Sequence, residues 1–199
     1  SSPSSADTPL VSVVLPAWNA ARTLGEALKS LLDQQPSPRG PVPEFEVVVV
    51  DDGSADNTRQ ILEHWRSAHL LGNRLRPLYL PHGGIVAALN AGLAAARGPL
   101  VARMDADDTA HPHRLASQAA HLFDNKHIDL SATCVAFGGD RELAHGFAHF
   151  VDWQNGLLTH EQISRARFRD TPVCHPSVMF RRQCVAKWGA YRDGDFAEE

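Results

Sequence analysis

Residues 99–108 read Pro-Leu-Val-Ala-Arg-Met-Asp-Ala-Asp-Asp, a mostly apolar run of strand length set directly against three carboxylates in four positions. Pro99 to Met104 suits a strand covered on both faces, because such strands lose the polar alternation of a half-exposed one. Upstream, Gly84 to Arg97 is Ala-rich and reads as a helix, and Arg74 to Leu80 reads as another strand. Phe45 to Val50 and Leu10 to Leu15 (LVSVVL) are two further buried strands, the latter stopped by Pro16. Between those two, Leu24, Ala27, Leu28, Leu31 and Leu32 recur at helical spacing within Ala20 to Gln34, and the Pro-rich stretch Pro36 to Pro43 ends that helix. Asp51-Asp52-Gly53-Ser54 reads as a loop before a helix opening near Asp56, whose carboxylate can cap free backbone N–H groups. Strands separated by helices predict an α/β fold: a Rossmann-like, mostly parallel sheet flanked by helices on both faces. Ligands of such sheets collect beyond the carboxyl ends of the strands, where Trp18, Asp51, Asp52, Asp105 and Asp107 all fall.

Downstream the pattern thins to a helix from His111 to Asn125, a strand from Ile128 to Val135, a short helix from Glu161 to Arg167 and a strand from Ser177 to Phe180. No internal repeat is present, and 199 residues fit one domain. With 43% hydrophobic and 21% charged residues the composition is that of a folded protein, and a formal net charge of -4 argues against nucleic acid as a partner. Cys134, Cys174 and Cys184 are too few and too scattered for a disulfide framework or a CxxC zinc site, which suits a reducing, cytoplasmic setting. The longest apolar runs fall well short of the roughly 20 residues that cross a bilayer, so no transmembrane segment is expected in this chain. Membrane association through segments outside it stays open. Residues 1–9 read as a disordered Ser/Pro-rich linker, and the abrupt finish at Glu198-Glu199 suggests C-terminal truncation.

Three carboxylates packed as Asp105, Asp107 and Asp108 repel one another, and a hard divalent cation such as Mg2+ or Mn2+, which prefers oxygen ligands and phosphates, relieves that repulsion. The competing reading is a solvated turn in which Asp108 caps the next helix; the position straight after a strand favours the metal. Asp51 and Asp52 end a second strand at the same edge, where carboxylates can accept hydrogen bonds from a base or from ribose hydroxyls and Gly53 lets the chain turn; an Asx turn with a helix cap is the alternative. Trp18, in Pro16-Ala17-Trp18-Asn19, could stack on a planar base or serve as an ordinary lid aromatic. His175, in Cys174-His175-Pro176-Ser177, is either a second base or metal neighbour or a hydrogen-bonded structural residue. His111 and His113 flank Pro112, which reads as a helix start, so their rings need not converge on a metal.

Taken together, PAWN (16–19), DDGS (51–54), LNAGLAAARG (89–98) and DADD (105–108), in this order and at these strand ends, resemble the inverting family-2 glycosyltransferases of the GT-A fold. The resemblance covers about Leu10 to Glu199 and is strongest up to Arg114. It implies that residues 10–199 form the catalytic domain of a transferase working on cell-envelope polysaccharide, taking a sugar from a nucleoside-diphosphate donor, UDP-linked by preference, to a hydroxyl acceptor on a glycan or lipid-linked glycan. It further implies a nucleotide site of Pro16, Trp18, Asn19, Asp51, Asp52, Asn90, Asp105 and Ala106, and a DxD pair in which Asp107, with Asp105, holds Mg2+ or Mn2+. Asn90 and Gly92 match a motif beside the nucleotide, but Leu89 stands where a basic residue is usual. Cationic contacts to the diphosphate must then come from Arg103, Arg114 or the N–H groups near Gly83 and Gly84. Phe196-Ala197-Glu198-Glu199 resembles the region of the general base, with Glu199 the first candidate and Glu198 the alternate. Two other readings compete: a non-catalytic nucleotide-sugar-binding module or fragment of a larger enzyme, and a sugar-phosphate nucleotidylyltransferase, whose Gly-rich basic loop PAWNAAR lacks.

Overall fold

Alternate residues of β1 (Val11–Ala17) and β2 (Phe45–Asp52) serve two different cores, which is why both strands are apolar almost throughout. Val11, Val13, Leu15, Val47 and Val49 face one side of the sheet, where they meet Leu24, Leu28 and Leu31 of α1 (Leu24–Leu32), Leu62 of α2 (Thr58–Ser67) and Leu115 and Leu122 of α4 (Arg114–Asp124). Val14, Val48 and Val50 face the other, against Ala88, Leu89 and Leu93 of α3 (Ile85–Ala95). Gly92 lets α3 lie directly on β1, since a Cβ there would stand 2.4 Å from Val14 Cγ1. The computed structural model describes residues 9–68 and 70–192.

The sheet has six strands in the order β3-β2-β1-β4-β6-β5, with β3 (Leu75–Leu80), β2, β1 and β4 (Leu100–Arg103) parallel, as the alternation of strand and helix predicts. β6 (Met179–Arg181) runs antiparallel to β4, and β5 (Leu130–Ser131) antiparallel to β6. Of the two edges, β3 carries Pro77, which has no N–H to offer a ladder, and β5 is two residues long. Helices α5 (His145–Asn155), α6 (His160–Ala166) and α7 (Gln183–Trp188) complete the described chain. None of the described helices is long and apolar enough to cross a membrane.

Several boundaries differ from the sequence expectation for identifiable reasons. β1 runs through Pro16 to Ala17: Val14 O accepts from Met104 N–H, and by alternation the missing N–H of Pro16 faces the side where β4 has already ended. Asp51 and Asp52 belong to β2, paired with Tyr79 and Leu80, and the loop begins only at Gly53. The long strand expected from Ile128 to Val135 shrinks to Leu130–Ser131 because three-residue β6 offers little to pair with; instead Asn155 of α5 clamps Val135 through both backbone groups. Pro112 precedes α4, which starts at Arg114. Helices α5 and α7 carry no side-chain N-cap, and α5 has Gly146 in its first turn, so neither announces itself in the sequence.

At the amino end of the strands one carboxylate joins much of the sheet. Glu46, 1% exposed, accepts from Ser12 Oγ (2.6 Å), Arg97 N–H (2.8 Å), Arg97 Nε (2.8 Å) and Arg76 Nη1 (2.7 Å). Ser12 Oγ in turn accepts from Gly98 N–H at 2.8 Å, so β1, β2, β3 and the α3–β4 turn meet here. Burial pushes the Glu46 carboxyl up, but the bonds from Ser12, Arg76 and Arg97 outweigh it and hold it below the usual carboxylate range. A carboxyl depressed in the folded state stabilises fully above its unfolded value near 4.5, and that stability is lost as pH falls through the folded value. Glu46→Gln is therefore expected to cost about 2–3 kcal/mol at pH 7, at or below the low end for breaking a buried pair because both arginines still reach water. Its deficit should shrink in acid. Urea unfolding at pH 7 and pH 4 checks this; matching midpoints for parent and variant at pH 7 would contradict it.

Candidate functional site

Three loops beyond the carboxyl ends of β1, β2 and β3 are tied into one wall. Asn19 takes a left-handed backbone (φ 50), which asparagine tolerates better than most residues, and this turns the chain after β1 toward β2. Its N–H donates to Ser54 Oγ (2.8 Å) and its Oδ1 accepts from Ala55 N–H (2.9 Å). Ala20 N–H reaches Thr58 Oγ1 (2.8 Å), and Asp56 accepts from both Ala21 N–H (3.0 Å) and Thr58 N–H (2.9 Å); the N-cap position of α2 is Asn57, one residue on, and its side chain makes no capping bond, so Asp56 ties the loops together rather than capping the helix as expected. Asn19 thus braces the wall with its side-chain oxygen. Trp18 is turned outward, 57% exposed, and lies on His82 with ring centroids 4.8 Å apart and planes at 20°.

The two aspartates of β2 are buried and do different things. Asp52 gives Oδ1 to Gly83 N–H (2.8 Å) and Oδ2 to Gly84 N–H (2.9 Å), while His82 Nδ1 approaches Oδ2 at 2.9 Å. The Gly83 and Gly84 amides, candidates for a diphosphate, are therefore spent on Asp52. Gly53 makes the contact between the loops possible: at φ 71, a Cβ would stand 2.6 Å from His82 N. Asp51 commits Oδ1 to Ser54 N–H (3.1 Å), and its Oδ2 has no hydrogen-bond partner among the described residues. Neither aspartate lines the cleft described next.

That cleft, of about 470 Å³, opens between the β1 loop and the loop after β4; Pro16, Trp18, Asn19 and Arg22 line one side, Asp105, Ala106 and Asp107 the other. Arg22 was not among the residues singled out from the sequence. Its signal was there, since it is the sole Lys or Arg between β1 and α1. Ligand oxygens of Asp105, Asp107 and Asp108 lie within 4.8 Å of one another, and an all-carboxylate donor set fits a hard cation such as Mg2+ or Mn2+. Burial raises the Asp105 carboxyl, Arg103 opposes the rise and Asp107 adds to it; burial with Asp105 and Asp107 raises Asp108. The ionised forms of Asp105 and Asp108 are thereby disfavoured, and a nearby cation would relieve this.

The two arginines nearest the triad differ in availability. Arg103, its side chain 7% exposed, holds Asp105 Oδ2 at 2.5 Å and leaves its buried Nε without a partner among the described residues. Arg114 is spent on structure, donating to Arg103 O (2.7 Å) and Gln118 Oε1 (3.1 Å), and burial lowers its pKa to about 10. Asn90 gives both ends of its amide to the Tyr191 backbone and so is committed to protein. His175 bonds the Tyr191 hydroxyl (3.0 Å), the structural alternative for that residue, and the rings of His111 and His113 tilt 5.5 Å apart. Glu198 and Glu199 lie outside the described residues.

The profile described as Glycosyl transferase family 2 matches residues 12–188. An uncharacterized glycosyltransferase of Haemophilus influenzae is 30% identical over 181 residues, 89% of this chain and 53% of that protein. The mannosyltransferase PcManGT from Pyrobaculum calidifontis, solved with GDP-Man and Mn2+, superposes with TM-score 0.67 at 24% identity, over 93% of this chain and 48% of that one. S. aureus TarS 1-349 with UDP superposes with TM-score 0.65 at 24% identity, over 92% and 50%. The last two are likenesses of fold, the GT-A arrangement, and the chain spans about half the length of each of these proteins.

Because Asp108 is raised by burial and two like charges and no side-chain hydrogen bond holds it among the described residues, its ionised form weakens the fold near neutral pH. Asp108→Asn is expected to raise Tm by about 2 °C in metal-free buffer, with the gain vanishing in acid, where the parent carboxyl is protonated. Thermal scans at pH 7.5 and pH 4 test this; a lower Tm in the variant at pH 7.5 would show that the charge is held by its surroundings.

Proposed function

The chain belongs to glycosyl transferase family 2, and from that premise we propose that it is the donor-binding core of an enzyme that transfers a sugar from a nucleoside diphosphate to a hydroxyl acceptor with inversion. The observation that carries this reading is the single cleft in which an outward-facing Trp18 and the carboxylates of Asp105 and Asp107 meet. A base stacks on the free face of Trp18, while Pro16 and Asn19 shape the slot; Asp51 lies outside the cleft lining, and its spare oxygen serves a base or ribose donor that reaches beyond it. Asp52 acts at one remove, by fixing the wall on which Trp18 and His82 rest. Asp105 and the backbone of Ala106 take the ribose side.

Asp107, with Asp105, would hold Mg2+ or Mn2+, which when bound neutralises charge on the diphosphate leaving group. Arg22 approaches the same phosphates from the opposite wall and takes the part for which the sequence offers no basic residue at Leu89. In the transfer the acceptor oxygen bonds to the anomeric carbon as the bond to the diphosphate oxygen breaks. The electron pair leaves on the diphosphate, the acceptor proton passes to a carboxylate, and no covalent enzyme intermediate forms. Glu199, with Glu198 the alternate, is the carboxylate proposed for that proton, a reading supported by the likeness of residues 196–199 to the family's base region. The solved relatives bind GDP-Man and UDP, which supports a nucleoside-diphosphate sugar and makes both carriers the ones to test, UDP first; a glycan or lipid-linked glycan of the cell envelope is the proposed acceptor.

Calorimetric titration of UDP and GDP, with and without Mn2+, tests the donor site. One diphosphate is expected to bind with Mn2+ and to lose at least tenfold in affinity, about 1.4 kcal/mol, on metal removal or in Asp107→Ala. Arg22→Ala is expected to cost about tenfold while leaving metal dependence intact. A chain that unfolds cooperatively yet binds neither diphosphate would refute the reading, and binding without turnover of any nucleotide sugar would make it a non-catalytic module.

A further inference from the structure

His145 and His149 stand one turn apart on α5, both exposed, and their rings meet edge to face with centroids 4.2 Å apart and planes at 84°. Residues four apart share one face of a helix, so the approach follows from the spacing. Nε2 of one ring lies 3.0 Å from Nε2 of the other. Two imidazole nitrogens so placed can coexist in two ways: one donates its N–H to the other, or both turn lone pairs on a shared cation. The helix that carries them is weakly begun yet widely used. It has no side-chain N-cap, Gly146 falls in its first turn, and it buries Ala148, Val151 and Gln154. Asn155 nevertheless clamps Val135, and Gln154 Nε2 donates to Thr171 O at 2.9 Å, so α5 organises chain on both sides of itself. The bond from Ala148 N–H to Ala144 O (2.9 Å) closes its first turn, beside the histidine pair.

We propose that His145 and His149 form a two-nitrogen site for a transition-metal cation, Cu2+ or Ni2+, which closes the first turn of α5 and is separate from the acidic triad. Metal–nitrogen bonds of about 2.0–2.1 Å drawn to two atoms 3.0 Å apart meet at about 90–97°. That is near the right angle of a tetragonal or octahedral shell and short of the tetrahedral angle, about 109°, of a structural Zn2+ site. Imidazole suits these metals, whereas the all-carboxylate triad suits Mg2+ or Mn2+, so ligand type sorts two cations between two sites. Among the described residues no third His, Cys, Asp or Glu joins the pair, since Asp105, Asp107 and Asp108 are the one such group of three, and water completes the shell. The partial positive charge of the helix start works against a cation, which leaves the two imidazole bonds as the attraction. Because the nitrogens converge only when the turn is formed, the metal favours the folded turn over the frayed one. None of this depends on the reading given under Proposed function.

The test titrates Cu2+ alone into the full chain and into His145→Ala and His149→Ala, in excess Mg2+ so that the oxygen ligands of the triad are contested by a hard cation. Both side chains are exposed and alanine is the better helix former, so the variants should unfold in urea at the parent's midpoint. The parent should take one Cu2+ more tightly than any other, with coupling to two nitrogens in its electron paramagnetic resonance spectrum. Each variant should lose at least tenfold in affinity for that ion and the coupling to the second nitrogen. Hydrogen exchange at the Ala148 amide should slow at least threefold when Cu2+ is added to the parent, and stay unchanged in either variant. Equal affinity in the parent and His149→Ala overturns the site and leaves an N–H···N hydrogen bond as the whole of the contact. A spectrum that keeps both nitrogens in the variants overturns it equally, by placing the ion elsewhere. Exchange at Ala148 that ignores the bound ion overturns the closing of the turn.

Discussion

The buried carboxylate of Glu46 is the fixed point from which the rest of the sheet can be understood. It spans β1 and β2, reaches Arg76 on β3, and through Ser12 and the Arg97 amide fixes the turn between α3 and β4. Every bond it makes is charge-assisted and almost every lone pair is used, so a carboxylate that would be costly to bury alone becomes a junction. It lies at the amino end of the strands, opposite the cleft. The carboxyl end is thereby free to hold Asp105, Asp107 and Asp108 in mutual repulsion, with burial raising two of them, because cohesion there does not depend on those charges.

Residue types that invite a ligand reading divide, in three dimensions, into those that face the cleft and those that build it. Asp52 and Asn19 use backbone amides of neighbouring loops much as a ligand would use them, and the loops are rigid in consequence. Asn90 joins a helix to a chain segment 101 residues on, and Arg114 with Gln118 stitches α4 to β4 and to the segment before β6. What stays open toward the cleft is a short set: Trp18, Arg22, Asp107 and the edge of Asp105. A site of this kind is preorganised by its supporting bonds, and these come mainly from side chain to backbone.

The parallel half of the fold was legible in the sequence because β1, β2 and β4 are buried throughout, β3 is half-buried at the edge, and each strand is followed by a helix. Val47 to Val50 allows few other readings, and DADD after an apolar run pointed straight at the edge where it lies. The second half was legible only in part, since its order comes from contacts that a linear pattern does not record. β5 stops after Ser131, and Asn155, twenty residues beyond Val135, captures the Val135 backbone instead, while α5 presents aromatics such as Phe147 and Trp153 without a capping residue. Arg22 was not legible because Leu89 stands where a basic residue is usual and the cation sits instead in the loop after β1, on the facing wall of the cleft. The bonds of Asn90 were not legible for a related reason: its amide pairs with the Tyr191 backbone, a partner 101 residues away and too distant in sequence to read.

The sheet's two borders decide how anything larger can be assembled around this unit. β3 carries a proline in its outer strand and β5 has only Leu130 and Ser131, so neither border presents a continuous row of main-chain donors and acceptors. A second copy, or any further polypeptide, finds little main-chain pairing at these borders and meets mainly side chains of helices and loops. Such contacts tolerate sliding and replacement, which leaves the architecture on the far side of the join free to diverge.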